Sequence, residues 1–214
     1  KRGHAVWAST LDYVDRMGAA YAPPALQDPT RRRIVATSRN PDGEEPSGID
    51  LALFRSEDEP LIIAHAPTDQ ANCHTDIFTA LARKCGAVAF LICGQPHLDC
   101  LRLKRTAHAG FDHLRGAFSV NTLENCALGL APLVRLRADY AERLEAEDFG
   151  AHDEISALFK IHDEHGLDLS REMLKLEDDV AETAARQQRA RNWYWDYWQP
   201  ARIGLKLRRM YENL

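Results

Sequence analysis

Residues that could do chemistry occur on two neighbouring apolar segments within the stretch 49–93. Asp50 lies in the run IDLALF, which predicts a β-strand that carries one carboxylate. The run LIIAHAP predicts a second strand, with His65 between Ala64 and Ala66 near its end. An imidazole that faces a site can bind a softer metal or act as a base near neutral pH. If side chains alternate along the strand, His65 instead faces away from the alanines and is a packing residue.

The elements around these residues predict an α/β fold. Residues 73–85 indicate a helix, and 87–93, AVAFLIC, form the most apolar strand candidate in the chain. Residues 98–113 favour a further helix. We therefore expect a mixed central sheet with flanking helices, formed by residues 1–138.

The layout of 49–93 resembles the core of the PD-(D/E)xK nuclease superfamily, the restriction-endonuclease-like fold. In that family an Asp on one strand and an acid-x-Lys motif on the next strand converge at one edge of the sheet. Asp50 matches the position of the first acid, and Ala64 and Ala66 occupy the positions of the second acid and the lysine. Gln70 is similar to a Gln that some members carry early in the following helix.

The resemblance implies metal-dependent cleavage of nucleic acid phosphodiesters, with DNA favoured over RNA. Its cofactor would be Mg²⁺ or Mn²⁺, held by carboxylates at Asp50 and at position 64, because hard cations prefer oxygen ligands. His65 is a further candidate metal ligand on its residue type alone, and it suits a softer metal. The metal would polarise the scissile phosphate while the lysine helps to activate water. Because Ala64 and Ala66 lack the required side chains, we expect little or no activity in this sequence.

Several explanations of the two alanines stay open at this stage. The chain could be a degenerate member that kept the fold as a non-catalytic module, or Ala64 and Ala66 could be engineered replacements of an acid and a lysine. It could also be an ordinary α/β domain in which Asp50 only caps or pairs. Finally, the missing groups could have moved to other polar residues of the stretch, namely Glu59, His65, Asp69, Asp76 or Lys84.

The cysteines and histidines offer a weaker indication of a metal site. Cys73-His74, Cys85 and the group Cys93, His97 and Cys100 could bind zinc, but structural zinc sites use paired ligands at short spacing. Burial as small apolar side chains is the alternative for these cysteines. The sequence contains no Walker loop, no G-x-G-x-x-G motif and no Ser elbow.

Residues 139–214 predict a helical C-terminal extension that packs on the core, with 170–198 as its longest helical run. Residues 139–182 are predominantly acidic, whereas 186–211 are basic apart from Asp196. Aromatic and basic side chains that alternate can stack on bases and neutralise phosphates. The predicted nucleic-acid-binding residues are Trp193, Trp195, Arg202, Lys206, Arg208 and Arg209. The alternatives are that the aromatic side chains anchor the last helix on the core, or that this surface docks another domain or subunit.

Bulk properties predict an intracellular, cytoplasmic protein without a membrane span. Five dispersed cysteines in 214 residues do not form the pattern of a secreted disulfide scaffold. No apolar run is long enough to cross a bilayer, and the first residues do not form a signal peptide. Because the chain does not begin with Met, we expect a trimmed chain or a domain of a longer protein, with other domains or subunits as partners.

If the nuclease resemblance is functional, the double substitution Ala64→Glu with Ala66→Lys should restore the two missing groups. We expect this variant to cleave plasmid DNA or RNA when Mg²⁺ or Mn²⁺ is added, while the unsubstituted chain does not. A folded double variant that leaves both nucleic acids intact would exclude the engineered form of the hypothesis.

Overall fold

The computed structural model describes residues 55–117 and 119–212, together with two short strands that precede them. These strands, β1 (Trp7–Ala8) and β2 (Ala20–Tyr21), pair in parallel with each other. Asp50 and the strand predicted around it lie outside the described residues.

A four-stranded parallel sheet forms the centre of the described fold. Its strands are β3 (Ile62–His65), β4 (Val88–Leu91), β5 (Ala109–Phe111) and β6 (Ala131–Leu133), in the spatial order β4-β3-β5-β6. Helices connect them in turn: α1 (Thr75–Lys84), α2 (His97–Lys104) and α3 (Val120–Leu128). Strands that alternate with helices define the α/β class that the sequence predicted.

The described part of the sheet is parallel, not mixed as expected. All three pairings, β3 with β4, β3 with β5 and β5 with β6, are parallel. The reason lies in the connections, since each intervening helix returns the chain to the same end of the sheet before the next strand begins.

Two further differences from the predicted elements have local physical causes. The predicted helix 98–113 ends early: α2 stops at Lys104, and β5 follows within a fully buried segment that is too short to show strand alternation. The predicted helix 170–198 is two helices that meet at Asp179. The Asp179 carboxylate accepts a hydrogen bond of 2.9 Å from the Glu182 backbone N–H and so caps a new helix.

Five helices follow the sheet. They are α4 (Ala138–Ala146), α5 (His152–Leu158), α6 (Leu167–Asp178), α7 (Val180–Tyr197) and α8 (Pro200–Glu212). Helix α7 packs against α3 and β6, and α6 packs against α1. The helical region therefore supports the sheet from both sides. None of the helices in the described part of the chain has both the length and the hydropathy that a bilayer span requires.

Apolar side chains bury both faces of the sheet, as a parallel sheet requires. On one face Ile63 and Phe111 pack with Phe78 of α1 and Met173 of α6. The opposite face is smaller and includes Ala64, Ile92, Leu101 and Leu130. A third cluster, between α3 and the helices α4, α5 and α7, contains the aromatic side chains Tyr140, Phe149, Trp193, Tyr194 and Trp198.

Helix α3 lies unusually close to β5 because Gly110 has no side chain. A Cβ atom built at Gly110 would lie 2.3 Å from the side-chain nitrogen of Asn125, which is fully buried on α3. Contacts this short do not occur between real side chains, so only glycine permits the approach. The position of α3 relative to the strand ends therefore depends on Gly110.

Substitution of Gly110 tests this dependence. Gly110→Ala should lower the free energy of unfolding by about 1–3 kcal/mol, because the added methyl group forces α3 and β5 apart. The matched control is Gly204→Ala in α8, where a Cβ would meet nothing within 4 Å and where alanine favours the helix. Chemical denaturation of both variants measures the difference, and equal stabilities would contradict the proposed close packing.

Candidate functional site

The predicted catalytic positions 64 and 66 lie on the same face of the sheet but differ in exposure. Ala64 is 1% exposed and packs with Ile92 and Leu101 in the smaller apolar cluster. Ala66 follows the strand, is half-buried and lines an open pocket. A glutamate at position 64 would therefore enter an apolar environment, where a carboxylate is costly to bury. Asp50 is outside the described residues, so its distance from these positions is undefined.

His65 is a fully buried packing residue on the face opposite Ala64. Its Nδ1–H donates to the carbonyl of Phe111 at 3.2 Å, and its Nε2 accepts from the Thr75 hydroxyl at 2.9 Å. Its ring lies 5.0 Å from the ring of Phe78 and 4.9 Å from that of Phe111, centroid to centroid. Both nitrogens are thus occupied, and neither is open to a metal in this conformation.

The other polar residues considered for a nuclease site are dispersed. Gln70 is exposed and donates to the Cys93 sulfur at 3.5 Å. Asp69 accepts hydrogen bonds from Asn72, and Glu59 accepts one from the Ser56 backbone. Within the described residues, no three His, Cys, Asp or Glu side chains are placed to hold one metal ion. The predicted Mg²⁺ or Mn²⁺ site, which needs Asp50, stays a prediction.

The aromatic residues predicted to stack on bases are mostly enclosed. Trp193 is buried, its indole N–H donates to the Phe149 carbonyl at 2.9 Å, and its ring packs edge-on against Phe159. It therefore has no free face for a base, in agreement with the alternative that the aromatics anchor the helix. Trp195 is half-buried, with its ring perpendicular to that of Tyr194.

The basic residues of α8 make mostly local contacts. Lys206 donates to the backbone carbonyls of Glu147 and Asp148 and lies 3.8 Å from the centre of the Phe149 ring. Three arginines complete the predicted set: Arg202 donates to the Asp196 carbonyl, Arg208 pairs with Glu212, and Arg209 is exposed. Nucleic-acid binding through this surface stays a prediction.

A pocket of about 600 Å³ opens at the carboxyl ends of β3, β4 and β5, and we refer to it as the edge pocket. Three loops that follow these strands and one face each of α2 and α3 form its walls. Open α/β sheets bind their ligands at this edge, because the loops that follow parallel strands converge there. The residues that line it include Ala66, Cys73, His97, Lys104, Asp112, His113, Arg115, Ser119, Asn121 and Glu124.

The inner wall of the edge pocket carries a buried ion pair between α2 and α3. Lys104 Nζ lies 2.7 Å from Glu124 Oε2 and 2.6 Å from Asn121 Oδ1, while His97 Nε2 lies 2.7 Å from Glu124 Oε1. Burial alone would raise the pKa of Glu124, but Lys104 and His97 lower it to about 2. The carboxylate is therefore ionised at neutral pH and is oriented by hydrogen bonds at both oxygens.

Asp112 fixes the start of α3 beside the pocket. Its Oδ2 accepts hydrogen bonds from the Ser119 backbone N–H, the Ser119 hydroxyl and the Thr122 hydroxyl, at 3.0, 2.7 and 2.6 Å. Burial alone would raise the pKa of Asp112, yet the charge of His113 and these donors hold it below its usual value. An ionised carboxylate at a helix N-terminus is also favoured by the helix dipole.

Arg115, in the loop after β5, brings a positive charge to the outer wall of the pocket. His74, at the start of α1, accepts a hydrogen bond of 3.3 Å at Nδ1 from the Leu114 backbone N–H, which links the loop after β3 to the loop after β5. Burial lowers the pKa of His74, and the positive charges of His113 and Arg115 lower it further. Arg115 is exposed, and its Nε donates to the Asn72 carbonyl at 3.0 Å.

Sequence reasoning missed this pocket. Lys104 and Glu124 are separated by a strand and lie in segments that show no familiar motif, so no spacing connects them. One signal was present: Glu124 is the only charged residue in the otherwise uncharged run SVNTLENCALGLAPLV, which forms a buried helix and strand. A lone acid in such a run needs a partner, although the sequence does not say which.

Buried His65 predicts an acid-sensitive fold. Burial lowers its pKa from 6.5 to about 4, more than the hydrogen bond to Phe111 raises it. Because the unfolded chain binds the proton more readily, the free energy of unfolding should fall as the pH drops from 6.5 to about 4, by on the order of 3 kcal/mol.

His65→Gln should lose this part of the pH dependence, whereas His165→Gln, at a side chain 86% exposed, should keep it. Denaturant titrations at several pH values measure both. An unchanged pH slope in His65→Gln would contradict the assignment.

Comparison with known proteins gives a fold likeness only. No family model and no curated protein matches the chain. Among solved structures, the chain is similar to a point mutant of the Thermobaculum terrenum O-GlcNAc transferase, with 14% identity and a TM-score of 0.50. The likeness covers 83% of this chain but only 39% of that transferase, so the chain spans well under half of its length. This likeness concerns the fold and gives the nuclease resemblance no support.

Proposed function

We propose that this chain is the donor-binding part of a sugar-transferring enzyme and that the edge pocket binds a phosphorylated sugar donor. A sugar is transferred from an activated form, in which a phosphate-containing group leaves. A pocket for such a donor needs positive charge for the phosphate and oriented polar groups for the hydroxyls. Both are present in the edge pocket.

The observation that carries this proposal is the placement of the pocket. It lies where three parallel strands end, it has a volume of about 600 Å³, and side chains from two helices converge on it. This is the default ligand site of open α/β sheets, and its volume is that of pockets for small molecules and cofactors.

The outer wall suits the phosphate part of the donor. Within the part of the chain that the structure describes, the Arg115 guanidinium donates one hydrogen bond, through Nε to the Asn72 carbonyl, and His113 lies in the same loop. Arginine binds phosphate through paired hydrogen bonds of fixed geometry.

The inner wall suits hydroxyl groups. Glu124 is ionised, and each of its oxygens has one bound donor from α2. A carboxylate has about four lone-pair positions, so it can accept further hydrogen bonds from a ligand. Ser119 and Asn121, at the start of α3, add neutral polar groups to the same region.

The fold likeness to an O-GlcNAc transferase supports a sugar-transferring role, although it is a likeness of fold at 14% identity. The metal-dependent nuclease and the module that binds nucleic acid or a partner through 186–211 remain separate proposals from the sequence. Among the side chains that the structure describes, none from 186–211 lines the edge pocket, and neither does Ala64.

Binding of nucleoside diphosphates tests the proposed function. We expect the folded chain to bind at least one of UDP, GDP and ADP, measured by isothermal titration calorimetry, and pyrophosphate more weakly. Arg115→Ala should weaken binding about tenfold or more, because a charge-assisted contact to phosphate is lost. The matched control is Arg102→Ala on α2, an exposed arginine that pairs with Asp99 outside the pocket.

Two outcomes would overturn the proposal. One is the absence of binding of every nucleoside diphosphate at millimolar concentration by the folded chain. The other is an equal loss in the Arg115 and Arg102 variants, which would indicate non-specific charge attraction that also disappears in salt.

A further inference from the structure

We propose that Lys104 is a specificity-determining residue of the edge pocket, whose ammonium group donates its third hydrogen to an uncharged oxygen of the ligand. This inference rests on the proposed function, since it names a contact in the same pocket. It assigns to Lys104 the recognition of the sugar or base part of the ligand and leaves the phosphate part to Arg115.

Lys104 is an unusual lysine because it is almost completely buried and still lines a pocket. The residue is 1% exposed, whereas lysines are seldom fully buried without a reason. It lies on the same face of α2 as His97, two turns further along the helix, and both approach Glu124. Residues of α3 therefore contact the buried Lys104 ammonium group from one side.

The hydrogen-bonding capacity of the ammonium group is only partly used. An ammonium group has three N–H donors, and two of them reach Asn121 Oδ1 and Glu124 Oε2. Within the described residues, the third donor of Lys104 has no hydrogen-bond acceptor. A buried N–H donor without an acceptor costs free energy. A ligand oxygen that accepts this hydrogen bond removes the cost and therefore binds more tightly.

The direction of the third donor follows from the positions of the two acceptors. Asn121 and Glu124 are three residues apart on α3, so they lie on neighbouring turns of one helix face. The ammonium group is tetrahedral, and two hydrogens that point to α3 direct the remaining one away from it. Lys104, Asn121 and Glu124 all line the edge pocket, so an oxygen of a ligand in this pocket can reach the remaining donor.

The charge balance decides which oxygen fits. Lys104 and Glu124 form a pair at 2.7 Å, so together they are close to neutral. A neutral pair attracts a phosphate weakly, because the carboxylate repels what the ammonium attracts. A hydroxyl or carbonyl oxygen is suited to it instead, since it accepts from Lys104 while a neighbouring hydroxyl donates to Glu124.

A double-mutant cycle separates direct contact from simple support of Glu124. The variants are Lys104→Met, Glu124→Gln and the combination of both, each titrated with the nucleoside diphosphate that the wild type binds. We expect Lys104→Met to weaken binding about tenfold in the wild-type background, and also in the Glu124→Gln background. If Lys104 only positions Glu124, the combined variant will bind as Glu124→Gln does, which would overturn the proposal.

A measurement on the unsubstituted protein keeps the test valid if a variant does not fold. In protein labelled with ¹⁵N-lysine, the Nζ resonance of Lys104, assigned from its absence in Lys104→Arg, should shift when the nucleoside diphosphate is added. Pyrophosphate, which lacks the sugar and the base, should leave that resonance unchanged. An unshifted Nζ resonance at saturation would overturn the inference.

The failure of this inference can be told apart from failure of the proposed function. If the wild type binds no nucleoside diphosphate, the proposed function fails and this inference fails with it. If the wild type binds and Arg115→Ala weakens binding, but both tests on Lys104 are negative, only the inference about Lys104 is wrong.

Discussion

Strand β3 pairs in parallel with neighbours on both sides, and this pairing constrains the whole described structure. Parallel strands need a crossover helix between them, so α1, α2 and α3 must return the chain to the starting end each time. As a consequence, the loops after β3, β4 and β5 meet at one edge. The polar residues of the edge pocket, which are distant in the sequence, come together there because each lies in a loop that follows a strand or on the helix after it.

Helix α3 places polar side chains at defined positions in the edge pocket. Gly110 allows it to approach β5 closely, and the Asp112 carboxylate fixes its first turn. From this position α3 directs Glu124 toward the two basic residues of α2. The other side of α3 rests on α7, with Leu123 and Cys126 in the same cluster as Trp193 and Trp198. The aromatic C-terminal region therefore acts on the pocket indirectly, by supporting the helix that forms one of its walls.

Parts of the fold could be predicted because their signals are local. The helix predicted over 73–85 corresponds to α1, and the apolar run 87–93 contains β4, because periodicity and uninterrupted apolar runs are properties of adjacent residues. The strand β5 was missed because its three residues are all buried and the middle one is Gly110, so they carry no alternation. The parallel sense of the sheet was missed because strand direction depends on where the connections pass. The prediction for Asp50 concerns a residue outside the described part of the chain.

The sequence by itself determined the α/β class, the position of α1 and the helical character of the region after residue 138, since these follow from local composition and spacing. It also contained the alternative in which His65 and Trp193 are packing residues. Only the tertiary structure decided that Ala64 is buried while Ala66 reaches a pocket, because β3 ends at His65 and Ala66 already lies at the edge of the sheet where the pocket opens. Only the tertiary structure places the Lys104 ammonium group beside the Glu124 carboxylate. An ion pair across two helices depends on the distance between elements, and that distance is set by the packing of α3 on β5 and not by any spacing along the chain.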